Sequence, residues 1–505
     1  MKKIFISTLA VSLMLFSYSC DTDFENDLTQ IPVTSGSADF SRYVALGNSL
    51  TAGYRDGALY IDGQNESYPS IVASQMKLAG GGDFRQPLMA DNLGGIPSVG
   101  FSNKRILTST MELSIAPGVG ATTLANIFSS GPYHNMGVPG AKSFHLGIAG
   151  YGNPANLPNA ANPYFIRFAK NPTTSSVLTD ALELNPTFFS LWIGNNDVLS
   201  YATSGGVGVD QKGNMNPATY GSNDITDPTV FASVITSYVN ALTANGAKGV
   251  IANIPSVTSI PFFTRVPYNA IPLTAAKAQA LNTGLYQPLK AALTYLGAGS
   301  RINLVNEGNN PVLIIDRKLT NLSAQLTTVL ATSGVPAAQA SYIGNAFGQA
   351  RQATPEELIL LTASSVLGID AQTGLPATET SVFVYGASYP IGDHLSLTKD
   401  ELTSINTAVA AYNTSLNSIA QSKGLAFVDA HSKMVELSST SGIRWNNVKY
   451  TAEFVTGGTF SLDGVHLTGR GAGLIANEFI KAINAKYGSN LPLTDINKYS
   501  GVAFP

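Results

Sequence analysis

The sequence predicts an α/β protein: a mainly parallel central sheet covered by helices on both faces, a three-layer α/β/α sandwich. Two observations carry this expectation. Short apolar segments alternate with longer amphipathic ones along the chain, strand then helix then strand. The strand candidates are apolar throughout rather than alternating, the mark of strands buried on both faces. The scale agrees: 505 residues, 44% hydrophobic and 12% charged, suffice for a large core without disulfides or metal.

Taken in order, Lys2 and Lys3 precede an apolar run from Ile4 to Phe16, and the small residues Ser17 and Ser19 follow. A positive start, a short apolar core and a small-residue exit describe a secretory signal over residues 1–19, short for a membrane span. Cys20 is the single cysteine of the chain, so it forms no internal disulfide. Its position resembles the lipidated first residue of mature bacterial lipoproteins, although Ser17 stands where leucine is commoner. The resemblance implies acylation of Cys20 and stable anchoring to a membrane through more than one chain. Residues 20–40, acidic at Asp21, Asp23, Glu25 and Asp27, read as a solvated tether. Such acidic residues also resemble the surface-export signals of Bacteroidota lipoproteins. The expectation is an exported protein, lipid-anchored to the outer membrane, its periplasmic or surface orientation left open.

Residues 41–505 carry no repeat and no change of composition class. Strands are expected over 43–46, 187–193, 249–254 and 426–429. Helices are expected over 175–184, 228–244, 275–293, 399–423 and 468–487; in the last, Leu474, Ile475, Phe479, Ile480 and Ile483 recur at helical spacing. Two segments read as insertions into the basic plan. One, near 64–132, is rich in Gly, Pro and Ser; Tyr60, Tyr68, Phe84 and Phe101 in and beside it are candidates for a pocket wall. The other, near 309–389, holds helix candidates at 320–332 and 355–367. A net charge of −3 without a basic run argues against nucleic acid as the main partner.

The first strand ends in "YVALGNSLTAG", which sets Ser49 directly beyond its carboxyl end, on the rim where open α/β sheets bind ligands. A serine hydroxyl needs a base within reach to act as a nucleophile. Of five histidines, only His466 stands in a setting such as "SLDGVHLTGRGAG", where Asp463 lies three residues earlier and one short loop supplies imidazole and carboxylate together. His394 beside Asp393 reads as a loop or cap residue, His431 as a rim residue, and His134 as a neighbour of the site; His145 carries no signal. Acyl transfer also requires donors for an oxyanion. "LWIGNNDVLS" ends an apolar strand in Gly194-Asn195-Asn196-Asp197, and "YHNMGVPGAKS" offers Gly140 in a tight turn.

In order, Gly47-Asn48-Ser49-Leu50, Gly140, Gly194-x-Asn196-Asp197 and Asp463-x-x-His466 resemble the four blocks of the GDSL, or SGNH, esterases and lipases. Asn48 replaces the aspartate that names the family; it is nearly isosteric with it, so activity is expected to survive. The resemblance implies the flavodoxin-like SGNH-hydrolase fold, a carboxylic ester hydrolase with Ser49 as nucleophile, His466 as base and Asp463 as its orienter. It implies an oxyanion hole from the Ser49 and Gly140 backbone N–H groups and the Asn196 side chain. It implies no metal or organic cofactor. An acylated carbohydrate or a lipid is the expected substrate, and a monomer the expected state. Two other readings stay open on the same residues: a surface-anchored binding lipoprotein without catalysis, and an acyltransferase.

Overall fold

The computed structural model describes residues 32–378 and 380–505; the signal 1–19, Cys20 and the acidic positions of the tether lie outside the described residues. Five strands form the central sheet: β1 (Tyr43–Gly47), β2 (Asn135–Gly137), β3 (Phe188–Trp192), β4 (Lys248–Ala252) and β5 (Ala426–Val428). They lie in the order β2-β1-β3-β4-β5, and every neighbouring pair is parallel. All carboxyl ends therefore share one rim. The chain winds outward from β1 to β2 and then returns to the other side, which makes the β1/β3 boundary the switch point where such sheets open a crevice. Gly47 and Trp192 face each other there.

The helices that frame the sheet are α1 (Tyr68–Leu78), α2 (Val177–Glu183), α3 (Asn196–Thr203), α4 (Pro228–Thr243), α5 (Lys399–Ser422) and α6 (Gly469–Tyr487). The period-2 alternation of β1 divides them into layers. Val44 and Leu46 pack with Phe189, Leu191 and Ile251 under α2, α4 and α5. Tyr43 and Ala45 pack with Phe188, Val250 and Val428 under α1 and α6. Two of the long helices, α6 and α4, start on a side-chain cap. Thr468 accepts from the Gly471 N–H at 3.1 Å, and Asp227 accepts from Thr229 and Val230 at 2.7 and 3.0 Å. The described residues thus form a mixed α/β domain with a parallel central sheet between two helical layers.

The expected strands and long helices of the sheet are present, with bounds shifted by one to a few residues. Strand β2 escaped the sequence reading because it has three residues and a single large apolar side chain, Met136. Other expectations are corrected. Segment 64–132 is not wholly an insertion, since α1 within it packs Ile71, Val72 and Met76 into the sheet. Tyr68 is core rather than pocket wall: it is fully buried, stacked on Phe479 and edge-on to Trp192. Phe84 stacks on Tyr43, and Tyr60 is buried against Arg55.

The second insertion begins earlier than residue 309. Helices Ala275–Leu281 and Gln287–Tyr295 belong to a lobe with its own core, where Leu289 and Leu293 meet Leu326, Leu330 and Phe347. They do not form one uninterrupted α-helix. Pro288 has no N–H to give to the residue four earlier, and the chain relieves this with a π-helical turn at Asn282–Tyr286. No α-helix forms over 355–367. Glu357 accepts from the Thr354 N–H and hydroxyl at 2.6 and 2.7 Å and pairs with Arg351 at 2.9 Å. Leu358–Ile359 then pairs antiparallel with Ser396–Leu397, leaving only a 3-10 turn at Leu361–Ser365. Local side-chain bonds and strand pairing outcompete helix propensity here. No described helix is long and apolar enough to cross a membrane.

Candidate active site

Ser49 is the first residue of a single helical turn, Ser49–Ala52, that follows β1 without a linker. The turn is possible because Gly47 has no side chain: a Cβ there would lie 2.0 Å from Thr51 Oγ1 and 2.4 Å from the Trp192 carbonyl. Asn48 caps the turn by accepting from the Leu50 N–H at 3.1 Å, and its amide donates to Asn195 Oδ1 at 3.4 Å. The residue that departs from the aspartate of the resembled motif thus ties the β1 and β3 ends together, using an N–H that a carboxylate lacks.

The loop before α6 brings the other groups from 417 positions away: Ser49 Oγ lies 2.9 Å from His466 Nε2. His466 Nδ1 donates to Asp463 Oδ2 at 2.8 Å. A carboxylate only accepts, so Nδ1 carries the proton and Nε2 presents its lone pair to the Ser49 hydroxyl. Asp463 is itself saturated with donors. Its Oδ1 accepts from the N–H groups of Val465 and His466 at 2.9 and 2.8 Å and from Ser461 Oγ at 3.1 Å; its Oδ2 accepts from the Gly57 N–H at 2.9 Å. Burial pushes the Asp463 carboxyl up, but His466 beside it and the N–H groups aimed at it outweigh burial and hold it well below the usual carboxylate range. The side chain is therefore ionised at neutral pH.

Asn196 opens α3 at the end of β3, and its Nδ2 donates to the Ala141 carbonyl at 2.9 Å. That bond holds the amide beside the turn of Gly140, whose φ of +82° favours glycine. Asp197, quoted in the motif without a role, clamps this loop: it accepts from the Ser143 N–H at 2.8 Å and the Ser143 hydroxyl at 2.6 Å. Ser49, Gly140, Asn196, Asp463 and His466 thus meet at the β1/β3 switch point. The other histidines stand apart. His134 lies at the amino end of β2, away from the rim, accepting from the Arg85 N–H at 3.0 Å and stacked on Phe84. His145 stacks on Tyr151, and burial with nearby Lys142 pushes it down to about 4. His394 sits exposed in a 3-10 turn, and His431 in the first turn of the helix Ala430–Ser438.

Two cavities meet at Ser49, Asn196 and His466. One, of about 90 Å³, is walled by apolar side chains including Trp192, Val257, Ile260, Met434, Leu437 and Leu474. The other, of about 620 Å³, is wider and more polar, and includes Gly140, Tyr54, Phe101 and Arg105. Phe101 alone of the four aromatics read as wall candidates lines it. Tyr54, which the sequence did not mark, covers the His466 ring at a centroid distance of 4.7 Å. Tyr54 and Gly57 stand in no motif, and their partners lie some four hundred residues away, so nothing local marked them. Among the described residues no group of three or more His, Cys, Asp or Glu side chains converges as a metal-binding set.

Hydroxyl, imidazole and carboxylate in this series can move a proton from the hydroxyl to the ring, with the resulting imidazolium facing a fixed negative charge. The fold and the site together define a three-layer α/β protein with a hydrogen-bonded Ser-His-Asp series at its switch point. Comparison with family models, curated proteins and solved structures finds no match to this chain.

Proposed function

We propose that the protein is a serine ester hydrolase of the SGNH type, cleaving carboxylic esters through an acyl-enzyme on Ser49. The observation that carries this reading is the continuous series Ser49 Oγ, His466 Nε2, His466 Nδ1, Asp463 Oδ2, with links of 2.9 and 2.8 Å. In the proposed reaction Ser49 Oγ attacks the ester carbonyl as His466 Nε2 takes its proton. The tetrahedral oxyanion draws on the Ser49 and Gly140 N–H groups and the second N–H of the Asn196 amide, the first being held by Ala141. His466 then protonates the leaving alcohol, and a water activated by the same ring releases the acid. Asn196→Ala should lower kcat by about a hundredfold or more with little change in KM, read from steady-state kinetics.

The narrow apolar cavity suits the acyl chain, and the wider, more polar cleft suits the alcohol, since each then stays nearer the medium it prefers. The test is hydrolysis of p-nitrophenyl esters of increasing chain length by the protein from Asp21 onward. Each methylene buried contributes about 0.8 kcal/mol, so kcat/KM should rise roughly fourfold per carbon beyond acetate until the cavity is full, then fall. Fastest turnover of acetate would overturn the acyl assignment. Equal background rates for all esters would overturn the hydrolase reading itself.

Export and a lipid anchor at Cys20 remain part of the proposal, supported by the amino-terminal sequence pattern.

A further inference from the structure

The wider cleft contains one permanently charged side chain, Arg105, and no carboxylate lines it. Arg105 extends from the hairpin formed by Arg105–Leu107 and Leu113–Ile115, and its side chain runs along Gly57, the residue that donates to Asp463. Among the described residues it forms no ion pair. Its guanidinium makes one long hydrogen bond, 3.5 Å from Nη1 to the Leu462 carbonyl. Two neighbouring carboxylates, Asp56, whose backbone carbonyl accepts from the Arg105 N–H, and Asp463, bonded to Gly57, are already committed. Asp463 holds His466 and its surrounding N–H groups, and Asp56 accepts from the Leu462 N–H at 3.0 Å and the Tyr60 hydroxyl at 2.6 Å.

A guanidinium carries five donors in a planar fork suited to carboxylate, phosphate or sulfate oxygens. The hairpin backbone is secured without them, by the Arg105 N–H donating to the Asp56 carbonyl at 2.7 Å, so the fork is free to meet a ligand in the cleft. We propose that Arg105 binds a negative charge on the alcohol portion of the ester, so that the substrate class is an ester joining an apolar acyl group to an anionic alcohol. This rests on the serine-hydrolase reading and on the assignment of the wide cleft to the alcohol.

The test measures kcat/KM on two matched pairs that share a butyryl group. Monobutyrylglycerol is compared with its 3-phosphate, and butyrylated methyl glucoside with butyrylated methyl glucuronoside. The anionic member should be preferred in at least one pair. A preference confined to the phosphate pair identifies a lipid-like headgroup, and one confined to the uronate pair an acidic carbohydrate. Arg105→Gln should lower the anionic-to-neutral ratio by about ten- to a hundredfold, the worth of a hydrogen bond between charged groups. Arg105→Lys should keep part of the ratio, and Arg105→Glu should invert it. Added salt should erode it in the wild type. No preference in either pair, an unchanged ratio in Arg105→Gln, or an equal fall on both members would overturn the proposal while leaving the hydrolase reading standing. Neutral-ester turnover that survives in Ser49→Ala would instead overturn the hydrolase reading, and this inference with it.

Discussion

Ser49→Ala is expected to lower kcat/KM on a preferred p-nitrophenyl ester by roughly ten thousand- to a millionfold, with a nearly unchanged melting temperature. The two halves of the prediction have separate physical grounds. Chemistry is lost because no other hydroxyl lies within hydrogen-bonding distance of His466 Nε2 among the described residues. Stability is kept because the change removes one oxygen atom and one hydrogen bond at a site open to two cavities, a loss of about 1 kcal/mol. Steady-state kinetics paired with thermal unfolding on one preparation would check both. Retained turnover in a folded variant would transfer the reading to a binding protein on the same scaffold, or to a different nucleophile.

Asp463→Asn should cost about ten thousandfold in kcat, because an amide cannot hold the imidazole in the tautomer that presents Nε2 as acceptor. Here stability changes too, and its pH dependence carries a sign. The folded carboxyl titrates well below its unfolded value. Its contribution is therefore fully present above the unfolded value of about 3.9 and is lost as pH falls from there toward the folded one. The wild type should lose stability over that acid range, and Asp463→Asn should lose less of it. Chemical denaturation between neutral pH and strongly acidic buffer measures the difference. Identical acid slopes for the two proteins would remove the claim that donors converging on Asp463 stabilise the fold.

Much of the fold was legible in local pattern. The apolar runs that became β1, β3, β4 and β5 are largely buried on both faces, a position that favours apolar residues along the whole strand; buried Ser190 in β3 is satisfied by the Tyr43 hydroxyl at 2.7 Å. Helix α6 was legible because its apolar residues recur at helical spacing and its ends carry Thr468 and Gly488 as caps. Strand β2 was not, for its three residues owe their place to pairing with β1 rather than to propensity. The absent helix at 355–367 was misread for a related reason: Glu357 is drawn to Arg351, and Leu358 and Ile359 to a strand some forty residues on. The lobe boundary was misplaced because an amphipathic helix reads the same whichever core receives it.

The candidate site divides along the same line. Sequence by itself determined which residue types stand at strand ends: Ser49 after β1, Asn196 after β3, and Asp463 and His466 in one loop before α6. Those are local facts of composition and spacing. Only the tertiary structure decided that they meet, that Gly57 and Ser461 complete the hydrogen bonding of Asp463, that Tyr54 covers His466, and that Arg105 stands in the cleft with no ion pair among the described residues. The physical reason is range. Backbone preference and hydrophobic period act over a few residues, whereas a hydrogen bond joining positions 49 and 466 exists only after the parallel sheet has brought its strand ends to one rim.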